Sequence, residues 1–172
     1  MNMNFQILTH DWASSVFRNV YHELINSSGK VTIGNNIYFG TNVIVLKGVT
    51  IGDNCIIGAG SIVSKNIPAN SVATGIPARK ICSLDEYFER RKKQHLEEAF
   101  EYAKAIVERY HRLPNIDDFW EEFPIFIDGN ETQKHTPFMI KQLGAGYYFW
   151  TQKHKADFNS FDAFLKAAKI KE

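Results

Sequence analysis

Cysteine is scarce in this chain: of 172 residues only Cys55 and Cys82 carry a thiol, which excludes a disulfide framework and a cysteine-built zinc site. Long apolar runs are missing as well, since none approaches the roughly 18 residues that span a bilayer. Met1 to Leu8 is too short and too polar for a signal peptide, so a soluble, intracellular protein of the cytoplasm is expected. Neither sign of charge dominates. The formal net charge is +1, without a basic stripe or a nucleic-acid motif, so nucleic acid is not an expected partner. Histidine is absent between Val31 and Ile81, so that stretch offers no imidazoles for a metal, and no metal is expected.

What is present is a period of six. A large apolar residue recurs at Ile33, Phe39, Val45, Ile51, Ile57 and Val63, and three positions later the column reads Asn36, Asn42, Gly48, Asn54, Gly60, Asn66. Six fits neither the 3.6 of a helix nor the alternation of a strand, whereas Asn and Gly readily accept a left-handed backbone. The unit is therefore a short strand plus a corner. Three units closing one triangular coil stack Ile33 on Ile51, Phe39 on Ile57 and Val45 on Val63. A second inward column, Ile37, Val43, Val49, Cys55, Ser61 and Ile67, fills the remaining interior. Backbone groups then pair from coil to coil, as a parallel β-helix prism requires. The column Thr32, Tyr38, Ile44, Thr50, Ile56, Ile62, Pro68 faces outward, so Tyr38 sits with Ile56 and Ile44 with Ile62. Apolar ladders on two outer walls predict a symmetric homo-oligomer.

Composition changes after Cys82. From Leu84 an apolar stripe that includes Leu96, Ala99, Phe100, Ala103, Ile106 and Val107 predicts one long amphipathic helix stopping near Pro114. Asp117 to Phe123 and Phe161 to Ala168 are expected as shorter helices, the second capped by Ser160. The aromatic run Tyr147, Tyr148, Phe149, Trp150 is expected to form a small core on the long helix. The domains are thus a prism over 1–82, with an excursion loop at 11–30, and a mainly helical extension over 83–172.

The stretch VTIGNNIYFGTNVIVLKGVTIGDNCIIGAGSIVSKNIPANSVATGIPARKI, Val31 to Ile81, resembles the end of the catalytic domain of hexapeptide-repeat acyltransferases. Together with Ile7-Leu8-Thr9-His10-Asp11 it is most similar to the sugar and capsular polysaccharide O-acetyltransferases. The resemblance implies a left-handed parallel β-helix, here of about two to three coils, a homotrimer, and acetyl-CoA as co-substrate. It also implies that one histidine before an excursion loop is the general base, a position that falls on His10. Acetyl transfer from a thioester needs the acceptor hydroxyl proton removed during attack, and imidazole titrates near working pH.

By the same resemblance Tyr38, Ala59, Gly60, Ser64 and Lys65 line the path of the coenzyme, while Arg79 and Lys80 face its phosphates. Cys82 stands where some relatives carry a second arginine. Trp12, Tyr21 and Glu23, in the excursion, are the candidate acceptor-binding residues, and His22 and Glu23 are candidates to orient the base. Asp11 is a weaker candidate, because neighbours along a strand point to opposite sides. Relatives place several coils before the catalytic histidine, whereas nine residues stand there in this chain. Met1 to Thr9, with Phe5 and Ile7 alternating, is expected as one strand of an incomplete coil, leaving strand edges open. The expected function is O-acetylation of a sugar or polysaccharide precursor. The alternatives are a noncatalytic or degenerate assembly subunit and a fragment that joins a separate N-terminal β-helix piece. A carbonic-anhydrase-like β-helix is a distant third, lacking its histidines.

Overall fold

A computed structural model describes residues 4–170 of the chain. Two compact units are present, Met1–Arg91 and Lys92–Glu172. The first unit opens with β1 (Gln6–Ile7), β2 (His10–Asp11), α1 (Ser14–Tyr21) and β3 (Ser27–Ser28). The repeat follows as β4 (Thr32–Ile33), β5 (Ile37–Phe39), β6 (Ile44–Val45), β7 (Thr50–Ile51), β8 (Cys55–Ile57) and β9 (Ile62–Val63). These make three walls of parallel strands: β4 with β7, β5 with β8, and β1 with β6 and β9. Ile33 lies opposite Ile51, Phe39 opposite Ile57 and Val45 opposite Val63, as the period of six requires.

Both inward columns are buried beyond their first members, Ile33 and Ile37, which are half-buried. Phe39, Val45, Ile51, Ile57 and Val63 are at most 4 % exposed, with Val43, Val49, Cys55, Ser61 and Ile67 beside them. Each large apolar side chain buried this way stabilises the fold by about 1.5–3 kcal/mol relative to exposure. The corners at Asn36, Asn42, Gly48, Asn54 and Gly60 take positive φ. Asn66 does not. The last coil is two residues shorter, so Ile67 bridges Ile51, Val72 lies opposite Ile56, and Asn70 (φ 54°) becomes the corner. Asn66 instead accepts from the Thr50 N–H at 2.8 Å through its side chain, just ahead of Pro68, which has no N–H to give. β10 (Ser71–Gly75) joins β8 in parallel and then pairs antiparallel with β11 (Ala78–Ser83) through the cis Ile76–Pro77 bond, so a hairpin follows the coils.

Two expectations at the N-terminal end are refined. Met1, Asn2 and Met3 lie outside the described residues, but β1 does stack on the prism, with the rings of Phe5 and Phe39 at 4.2 Å. The excursion is not merely a loop, because it holds the two-turn α1. Asp11 Oδ1 accepts from the Ala13 N–H at 3.0 Å and opens the turn, and His22, at φ 59°, ends the helix.

α2 (Leu84–Tyr110) begins on a capping pair: Glu86 N donates to Ser83 Oγ at 3.1 Å and Ser83 N to Glu86 Oε2 at 2.7 Å. The division between the units falls inside this helix, beyond the change in composition at Cys82. Further on, α3 (Pro137–Leu143), α4 (Tyr147–Lys153) and α5 (Phe161–Ala167) complete the second unit. Ser160 caps α5 as expected, accepting from Ala163 N at 3.1 Å. Asp117 to Phe123 is not one helix but belongs to two single turns, Ile116–Phe119 and Phe123–Ile125. Pro124 sits in the opening positions of the second turn, where its missing N–H costs nothing, so that turn starts afresh instead of continuing the first. The aromatic run also differs from expectation: Tyr148 and Phe149 are 68 % and 65 % exposed. Ala99, Ala103 and Ile106 of α2 pack instead on Phe119, Ile125 and Phe164. Among the described residues, no helix is long and apolar enough to cross a membrane.

Candidate active site

The chain leaves the prism at His10. Leu8 N donates to Val45 O at 2.8 Å, keeping this segment on the β6 wall, and β2 and β3 then form the antiparallel base of the excursion. His10 lies opposite Ser28 and Asp11 opposite Ser27. Gly29 N closes the base on Thr9 O at 2.8 Å. The returning strand rests on the Gly48 corner so closely that a Cβ on Gly29 would meet Gly48 N at 2.8 Å, which explains a glycine there.

A cleft of about 220 Å³ opens beside this base, lined by Leu8, His10, Asp11, Leu46, Lys47 and Ser64. The His10 ring is exposed to it, with Nδ1 at 3.4 Å from Thr9 Oγ1 and Nε2 without a partner among the described residues. An imidazole nitrogen so placed is free to take a proton from a bound hydroxyl. The Lys47 ammonium pairs with the Asp11 carboxylate and donates to Ser27 Oγ. Among the described residues, no group of three metal-ligating side chains is assembled.

The structure brings together only part of the expected set. Ser64, assigned to the coenzyme path, shares the His10 cleft. Asp11 lines the same cleft, contrary to the reading that strand alternation points it away. β2 is only two residues long and its second residue already turns into α1, so alternation does not persist. Trp12 and Tyr21, 70 % and 67 % exposed, and Glu23 lie in the excursion but do not line the cleft, nor does His22. Tyr38 stands on the outer face of β5, opposite Ile56, and is 55 % exposed. Ala59 and Gly60 form the exposed corner after β8, and Lys65 follows β9. Arg79 and Lys80 are exposed neighbours on β11, where Arg79 Nη1 donates to Ala78 O at 2.9 Å.

Sequence reasoning missed Lys47. The step of eighteen places it only beside Gly29, in the return of the excursion, and does not reveal that its charge reaches out of the repeat to Asp11 and Ser27. Three hollows in the second unit are larger than the cleft: about 740 Å³ beside Phe161 and Leu165, about 380 Å³ beside Asp128 and Phe158, and about 360 Å³ beside Phe123 and Phe138. None is lined by the run Tyr147 to Trp150.

Residues 30–65, the heart of the prism, match the family described as bacterial transferase hexapeptide (six repeats). The six-residue columns from Ile33 to Val63 fall inside that match. Protein CapG of Staphylococcus aureus is 52% identical to the chain over 79 residues, 46% of this chain and 45% of CapG. The galactoside O-acetyltransferase of Escherichia coli (strain K12) is 51% identical over 71 residues, 39% of this chain and 35% of that protein. The chain thus spans less than half the length of either relative. Among solved structures, a galactoside acetyltransferase in complex with coenzyme A aligns at 41% identity with a TM-score of 0.42. The alignment covers 52% of this chain and 42% of that one.

Proposed function

We propose that this hexapeptide-repeat chain moves an acetyl group from acetyl-CoA to a hydroxyl of a sugar or polysaccharide precursor, with His10 as general base. The observation that carries this reading is the exposed His10 ring in a cleft on the prism wall, its Nε2 without a partner among the described residues. Identity of about half over 71 residues with a galactoside O-acetyltransferase supports the reaction class and a sugar acceptor. The exposed cations of Arg79 and Lys80 on β11 support a donor that carries phosphates.

In this mechanism His10 accepts the acceptor proton as the hydroxyl oxygen attacks the thioester carbonyl, and returns it to the thiolate as the C–S bond breaks, so no covalent enzyme intermediate is needed. Tyr38, Ala59, Gly60, Ser64 and Lys65 line the donor path, an assignment supported by the solvent-open corner at Gly60, where a Cβ would meet nothing within 4 Å. Trp12 and Tyr21 offer exposed rings to the acceptor sugar, and Glu23 a carboxylate for its hydroxyls. The coil is left-handed and the assembly a homotrimer, a reading supported by the outward ladders Tyr38 with Ile56 and Ile44 with Ile62. Thiol release from acetyl-CoA with mixed sugars tests the proposal. His10→Ala is expected to lose about 10²–10⁴-fold in rate. Equal rates in variant and wild type would remove the base assignment, and no release by either would favour a noncatalytic assembly subunit.

A further inference from the structure

Lys47 is set apart from the other cations of the first unit. It sits between β6 and the Gly48 corner, its side chain is only 29% exposed, and its ammonium engages two strands of the excursion at once. On the outgoing strand it pairs with Asp11, the residue next to His10. On the returning strand it donates to Ser27, which lies opposite Asp11. Three groups therefore converge at the foot of an excursion of about twenty residues whose β-pairing spans only two residue pairs. Such a short antiparallel pair is too small to hold itself in water.

We propose that Lys47 is a positioning residue: by clamping Asp11 and Ser27 onto the prism it fixes the base of the excursion, and with it the His10 ring, against the wall that carries Ser64. The catalytic part of this inference rests on His10 being the base, as proposed above. The clamp itself does not. Misplacing a catalytic group by about 1 Å costs about 10²-fold in rate, so a clamp one residue from the imidazole has leverage on turnover. Asp11 serves a second purpose in the same geometry, since its other oxygen, Oδ1, opens the turn into α1 through the Ala13 N–H at 3.0 Å. One carboxylate thus links the ammonium on the prism to the start of the excursion helix. The close approach of Gly29 to the Gly48 corner seats the return strand against the backbone at the same place.

Hydrogen–deuterium exchange and steady-state kinetics on the full chain test this, with Lys47→Met, Lys47→Arg and the exchanged pair Asp11→Lys with Lys47→Asp. In Lys47→Met, amide exchange between Trp12 and Ser28 is expected to rise about tenfold or more, while strands β6 to β9 stay protected. Lys47→Arg and the exchanged pair restore protection. The kinetic expectation is a fall of about 10²-fold in kcat with KM for acetyl-CoA within about twofold of wild type, recovered in part by Lys47→Arg. Unchanged exchange across the excursion in Lys47→Met overturns the clamp. Raised exchange with unchanged kcat, in a protein that His10→Ala inactivates, overturns the positioning role. Should His10→Ala turn over like wild type, the base assignment falls instead, and the exchange data alone decide the clamp.

Discussion

At the scale of single residues, the corners show most clearly how composition becomes shape. Asn54 holds φ at 56°, accepts from Asn36 Nδ2 at 2.9 Å and donates to Asn70 Oδ1 at 3.1 Å, so one side chain ties three coils along an edge. Asn54→Ala is expected to lose about 1–3 kcal/mol, part of it the left-handed backbone and part the two amide contacts. Asn54→Gly keeps the backbone and loses only the contacts, so it should be the milder change in thermal unfolding. The reverse order would contradict this account of the corner. The column of Asn and Gly was legible because only those residue types tolerate such a turn cheaply. Asn66 carried the same letter but not the same conformation, since the register shortened by two residues before Pro68. Lys47 was illegible for another reason: its partners Asp11 and Ser27 lie far from it along the chain, and periodicity does not report a charge that reaches out of the repeat.

At the scale of elements, strands and long helices were readable and short turns were not. The stripe along α2 and the Ser160 cap of α5 appear where expected, because many residues vote for a long helix and one hydroxyl marks its start. The turn Ile116–Phe119 is decided by few atoms: Asn115 Oδ1 accepts from the N–H groups of Asp117 and Asp118 at 3.0 and 3.2 Å. Asp118 then takes two bonds of 2.7 Å from Arg112 and one of 2.8 Å from Asn115 N. The Arg112 guanidinium first, and the Asn115 N–H second, hold this carboxyl down at about 2. A depressed carboxyl contributes its stability fully above its ordinary value of about 4 and loses it as pH falls through about 2. Arg112→Ala is therefore expected to lower stability at neutral pH, by an amount that solvent screening of this exposed pair keeps small. In denaturant unfolding from about pH 7 down to about pH 2, the gap between variant and wild type should close near the acid end. A gap that stayed constant throughout would refute the pairing.

At the scale of the whole molecule, the prism and the helical unit differ in how much a sequence can disclose about them. The prism repeats one solution several times, so its stacking was legible residue by residue, down to Phe39 over Ile57. The helical unit is assembled once, by phenylalanines that meet from distant turns, and the exposed Tyr148 and Phe149 show how aromatic density misled the reading of its core. The candidate site falls between these extremes, with His10 marked by its place before the excursion and Asp11 and Lys47 disclosed only by geometry. The central claim is that the cleft bounded by His10, Lys47 and Ser64 is where acetyl transfer takes place. A crystal of the chain soaked with acetyl-CoA tests it most directly. The account predicts density for the thioester carbonyl inside that cleft, within hydrogen-bond reach of a hydroxyl that His10 can deprotonate. Coenzyme bound on another face of the prism, with the His10 cleft filled by water alone, would contradict it.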